Sequence, residues 1–148
     1  MRSALAIVGL IVCVASAAQA DVRGRPRVID GHTIEIAGEP IRLFGIEAPA
    51  RDQSCTRDGR SWPCGLEAEF ALAFELAEHW VTCHERGRDG DNRVVAICFM
   101  GPYDIAAHMV RLGWVRALRT ESPDYVNEEK RARVARIGIW RGDPPPGW

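Results

Sequence analysis

Four cysteines constrain this chain more than any other feature. Cys55, Cys64, Cys83 and Cys98 follow a leader-like start, and an even number of cysteines in an exported chain calls for two disulfides. The leader is MRSALAIVGLIVCVASAAQA, residues 1–20. Arg2 opens it, Ala4 to Ala17 is an apolar run carrying the fifth cysteine, Cys13, and Ala18-Gln19-Ala20 has the small-x-small form of a cleavage site. That run is short for a membrane span and no later run matches it. The expected arrangement is a signal peptide over 1–20 and one exported domain over 21–148, periplasmic or extracellular, with no span once the leader is gone.

The cysteines pair in three possible ways, and one follows from a hairpin. VTCHERGRDGDNRVVAICF has its tightest turn signal at Gly90-Asp91. A two-residue loop there sets Cys83 opposite Cys98, within bridging reach, although a bulge at the turn would slip the register by one. Cys55–Cys64 then remains to tie the loop CTRDGRSWPC. A zinc site using these cysteines with His79 or His84 has no common ligand spacing to support it.

Without the leader, 128 residues remain, enough for one domain. Losing Arg2 takes the 19 basic residues to 18 against 20 acidic ones, a net charge of −2. This is no strongly basic nucleic-acid module. Nearly all the basic residues are arginine, with Lys130 the one lysine.

Strand signals come first. RVID and TIEIA are rich in β-branched residues, and in IRLFGI the pair Ile41 and Leu43 shares one face while Arg42 and Phe44 take the other. A helix is expected over Leu66 to Trp80, with Leu66, Phe70, Ala73, Phe74 and Ala77 as its apolar stripe. A short helix capped by Asp104 stops at Gly113, WVRAL reads as a last strand, and a third helix opens at Ser122-Pro123 and ends near Gly138. The fold class is α+β, with five short antiparallel strands in a small closed barrel that leaves no exposed edge.

Several segments together resemble the thermonuclease-like (staphylococcal-nuclease-like) domain family. VIDGHT is similar to its V-x-D-G-D-T, IRLFGIEAPA to I-R-L-x-G-I-D-A-P-E, and NRVVAICF to the G-R-x-L-A segment. DIAAHMVRLGWVRA and DYVNEEKRARVARIGIW match its C-terminal half, with the closing G-x-W. The resemblance covers nearly all of 21–148 and implies a five-stranded OB-fold β-barrel with about three α-helices. It also implies a Ca²⁺ held by carboxylates, a glutamate that activates water, and two arginines on phosphate oxygens. A hard cation, a carboxylate base and guanidinium forks suit that chemistry.

Asp30 and Thr33 stand as the family has them. Arg42 and Arg93 fit the two phosphate arginines, with Asn92 where the family has glycine. Three positions depart: His32 replaces a metal-binding aspartate, Glu47 replaces a second, and Ala50 stands where the base belongs, so the base position is lost. Imidazole is a poor ligand for Ca²⁺. His32 is open to three readings: a base, a transition-metal ligand with Asp30 and Glu47, or a polar turn residue. Asp30 also reads as a turn cap before Gly31, and Asp52 as a substitute base on a loop. Of Trp62, Trp80, Trp114, Trp140 and Trp148, Trp140 reads as core.

Three functions follow. The first is a monomeric exported protein that binds single-stranded nucleic acid, a nucleotide or another polyanion, its catalysis lost or altered. The second is an active phosphodiesterase with an altered metal or a histidine-based mechanism. The third is an accessory envelope protein, as in exopolysaccharide (succinoglycan) production.

Overall fold

The computed structural model describes residues 21–148, so the expected signal peptide lies outside the described residues. The chain runs β1 (Val22–Gly24), β2 (Arg27–Asp30), β3 (Thr33–Ile36), β4 (Glu39–Leu43) and β5 (Ile46–Glu47). A small hairpin of β6 (Cys55–Arg57) and β7 (Arg60–Trp62) leads into α1 (Cys64–Leu76). Then come β8 (Val81–Arg88), β9 (Val94–Met100), β10 (Tyr103–Asp104), α2 (Ile105–Arg111), β11 (Arg116–Ala117), α3 (Val126–Ala135) and a 3₁₀ turn over Gly138–Arg141.

The fold is α+β with three α-helices, as the strand-then-helix pattern predicts. The main sheet has the order β1-β8-β9-β4-β3-β2, with β10 beside β9. Two parts of the expectation need correction. The β4–β9 pair is parallel, because the chain reaches β9 only after the α1 excursion. Nor is the sheet a closed barrel: among the described residues no ladder joins β1 to β2. It does curl, since a Cβ at Gly24 on β1 would lie 2.7 Å from Ile36 Cγ2 on β3. Only a glycine lets the two strands come that close.

Inside the curl, Ile34, Ile41, Leu43, Ile46, Leu72, Val81, Met109 and Val115 are wholly buried. The bound disulfides are Cys55–Cys64 and Cys83–Cys98, with Cα atoms 5.5 and 4.0 Å apart. Closing the 15-residue separation of the second restricts the unfolded chain by about 3 kcal/mol. Its register arises differently from the sequence expectation. The loop has three residues, Gly90-Asp91-Asn92, with Asn92 in the left-handed region at φ +60° and the Asp89 N–H donating to the Arg93 carbonyl at 3.1 Å. That slips the ladder by one, and a bulge at Arg86, between Glu85 and Gly87, slips it back. Cys83 therefore still faces Cys98.

The helices also differ in detail. Asp104 caps α2 by accepting the Ala107 N–H at 3.0 Å, and Gly113 at φ +77° ends it. α3 begins at Val126 rather than at Ser122, whose hydroxyl instead accepts the Asp124 N–H in the preceding turn at 3.1 Å. On α1 the expected stripe faces the wrong way. Phe70 and Phe74 are exposed, while Gly65, Ala68, Leu72 and Leu76 face the core. α1 is apolar on both faces, so periodicity alone could not choose between them. The small residues win because the helix must lie close to the β2–β3 turn: a Cβ at Gly31 would stand 2.8 Å from Ala48 and 3.0 Å from Ala68.

The tightest contact of this kind is at Gly65, where a Cβ would lie 1.8 Å from the Ala50 carbonyl oxygen. Gly65→Ala is expected to lower stability by roughly 1–3 kcal/mol through overpacking. Chemical denaturation of the variant against the parent measures it, and an unchanged midpoint would contradict this packing.

Candidate functional site

Asp30 and His32 sit on the turn between β2 and β3. The Asp30 Oδ1 accepts the His32 main-chain N–H at 2.9 Å, an Asx turn of the kind a short acid before glycine makes. The His32 Nδ1 stands 2.9 Å from the same oxygen. That is ion-pair distance, but the approach is off the hydrogen-bonding direction and the buried nitrogen has no hydrogen-bond partner. Burial raises the pKa of the Asp30 carboxyl, yet the His32 imidazole and N–H outweigh it and hold the group below the usual carboxylate range.

Glu47 is engaged elsewhere. It lies directly opposite Arg116 in the β5–β11 ladder, and its Oε2 accepts Arg116 Nε at 2.8 Å and Nη2 at 2.5 Å. Arg116 also rests 4.5 Å from the centre of the Trp148 ring. Ala50 contributes only backbone: its N–H donates to Gln53 Oε1 at 2.8 Å, and its carbonyl accepts the Gln53 N–H at 2.8 Å. Asp52 is exposed in the loop beyond it.

The expected ligand set of Asp30, His32 and Glu47 is therefore not assembled. Among the described residues no three His, Cys, Asp or Glu side chains are gathered as a metal would need. One of the three is an imidazole, and a guanidinium holds the second carboxylate. This donor set does not fit Ca²⁺, which takes six to eight oxygens.

The two arginines do come together, through a carboxylate between them. Arg42, on the β4 face opposite Ile41 and Leu43, is 9 % exposed. Its guanidinium forks onto Glu121, with Nη1 3.2 Å from Oε2 and Nη2 on Oε1. Glu121 Oε2 also accepts the Gly45 N–H at 2.8 Å. On the other side, Arg42 Nε lies 3.7 Å from Asp89 Oδ2, and Arg93 Nε donates to that oxygen at 2.9 Å. Asp89 Oδ1 takes the N–H groups of Asp91 and Arg93 at 3.0 Å each. Burial raises the Asp89 pKa, but these N–H groups and the Arg93 guanidinium bring it below the usual range.

Arg42, Asp89 and Glu121 line a cleft of about 390 Å³ together with Phe44, Arg86 and Arg88. Sequence reading missed Glu121, because nothing in RTESPDY marks a partner 79 residues from Arg42. It also missed Arg86, for which the isolated Gly87 within a strand was an available bulge signal.

A family model described as "Staphylococcal nuclease homologue" matches residues 40–142. The chain belongs to that family. It is 35 % identical over 125 residues to "Succinoglycan biosynthesis protein ExoI" of Rhizobium meliloti (strain 1021), across 82 % of this chain and 65 % of that protein. The match thus spans less than two thirds of that relative's length. A second relative, "Protein ParB" of Escherichia coli, is 30 % identical over 162 residues, covering 97 % of this chain and 85 % of the relative. In this chain Arg42 and Arg93 are both paired with carboxylates, and Ala50 carries no side-chain proton acceptor.

Asp30 supplies a pH test of the turn. Its pKa is lower folded than unfolded, so its stabilisation is present above the unfolded carboxylate value and is lost as pH falls through the folded one. Asp30→Ala is expected to cost about 1.5–3 kcal/mol at pH 7, as for a hydrogen bond to an ionised acceptor. Denaturation curves at descending pH should show that gap narrowing through the acid range; a constant gap would contradict the assignment.

Proposed function

We propose that this chain is an exported phosphate-binding member of its family, which holds single-stranded nucleic acid in the cleft between β4 and the β8–β9 hairpin, lined by Phe44, Arg86 and Arg88, with little or no hydrolysis. One observation carries the reading: the cleft keeps its guanidinium groups, while Glu47 is tied to Arg116 and Ala50 offers no proton acceptor. Base assistance contributes roughly 10²–10⁴-fold in rate, and hydrolysis without it, on a donor set unsuited to Ca²⁺, would be slow. The guanidinium chemistry of the cleft is independent of that loss. The two disulfides support placement in an oxidising compartment, and among the described residues no helix is long and apolar enough to cross a membrane.

A second reading has its own support in the similarity to the protein named for succinoglycan biosynthesis. Under it the chain is an accessory envelope protein of polysaccharide production, and the cleft holds no nucleic acid.

The oxidised domain should bind a fluorescent oligothymidylate, with an affinity that falls as salt rises by about 0.7 log units per log unit for each phosphate contacted. EDTA should leave that binding unchanged, and prolonged incubation with Ca²⁺, Mn²⁺ or Zn²⁺ should leave the strand intact. Metal-dependent cleavage that His32→Ala abolishes would overturn the reading in favour of an active phosphodiesterase.

A further inference from the structure

The bulge in β8 gives the cleft a cation the family pattern does not name. Glu85 pairs with Ala96 and Gly87 with Val95, so Arg86 has no opposite residue on β9. A bulged residue leaves the alternation of the strand and is re-aimed. Here the Arg86 guanidinium comes to rest 5.6 Å from the centre of the Phe44 ring. Phe44 is itself fixed beside the bulge, because its N–H donates to the Ala96 carbonyl at 2.9 Å.

The other guanidinium groups in this region are already committed. Arg42 is forked onto Glu121, and Arg93 is bound to Asp89. Arg88 donates to the Asn92 carbonyl at 2.9 Å and lies 3.6 and 3.8 Å from Glu85 and Glu39. Among the described residues Arg86 has no carboxylate at ion-pair distance and no side-chain hydrogen bond.

The two arginines therefore differ in what a ligand must displace. A phosphate at Arg42 has to evict Glu121, which would lose its cation while still partly buried and tied to the Gly45 N–H. A phosphate at Arg86 displaces water, and the guanidinium stays on its aromatic support. We propose that Arg86, turned into the cleft by the β8 bulge and resting on Phe44, takes the phosphate of the bound strand, while Arg42 is scaffold. This rests on the phosphate-binding reading above, and it names the residue that carries the binding.

The test compares wild type, Arg86→Gln and Arg42→Gln for binding of fluorescent oligothymidylate across a salt series, with unfolding midpoints measured alongside. Arg86 is exposed, so Arg86→Gln should keep its unfolding midpoint. Its affinity should fall about five-fold near 0.1 M salt, and its salt slope should shrink by about 0.7, the loss of one contact to a single strand. Arg42→Gln should lower the unfolding midpoint and, where folded, keep the slope of wild type. If wild type binds and Arg86→Gln matches it in affinity and slope, this proposal is wrong and the broader reading stands. If wild type shows no salt-dependent binding, the reading itself fails and takes the proposal with it.

Discussion

The fork of Arg42 on Glu121 is the interaction around which this protein's cleft is arranged. It joins the centre of the sheet to the segment that leads into α3, and the same carboxylate holds the Gly45 N–H at the turn after β4. Through Asp89 the pairing continues to Arg93 across the hairpin loop. The result is a row of alternating charges, guanidinium and carboxylate, along one side of the cleft. A partly buried arginine needs such partners, since leaving its charge unpaired away from water is costly. The cleft is built from charges that mostly satisfy one another, and the Arg86 guanidinium lies outside that row.

The residues expected to carry the metal and base chemistry have structural partners of their own. Asp30 serves as a turn cap, Glu47 is half of a cross-strand ion pair, and Ala50 presses its carbonyl against Gly65. Each residue has a structural occupation that explains its presence without chemistry. That is why similarity to nucleases establishes the family here and leaves hydrolysis to be argued from the site.

Much of the architecture was legible in the sequence. Ile41 and Leu43 marked the core face of β4, Asp104 and Gly113 marked the ends of α2, and the cysteines marked both bridges. What could not be read depends on contacts between distant segments. α1 carries apolar residues all round, so only its close approach to Gly31 and Ala50 selects the small-residue face. Glu121 finds Arg42 across 79 residues of sequence. In the hairpin, a three-residue loop and a bulge offset one another, so the Cys83–Cys98 pairing inferred from a two-residue loop was right although the loop was not. The residue at that bulge, Arg86, lines the cleft.

The most direct test of this account is a double-mutant cycle on stability, using Arg42→Gln, Glu121→Gln and the pair together. If the fork is scaffold, each single change is destabilising and the double change costs less than their sum, with a coupling of about 1–3 kcal/mol for contacting charges. Additive effects, with coupling near zero, would mean that Arg42 and Glu121 stand independently in solution, and that Arg42 is available to a ligand after all.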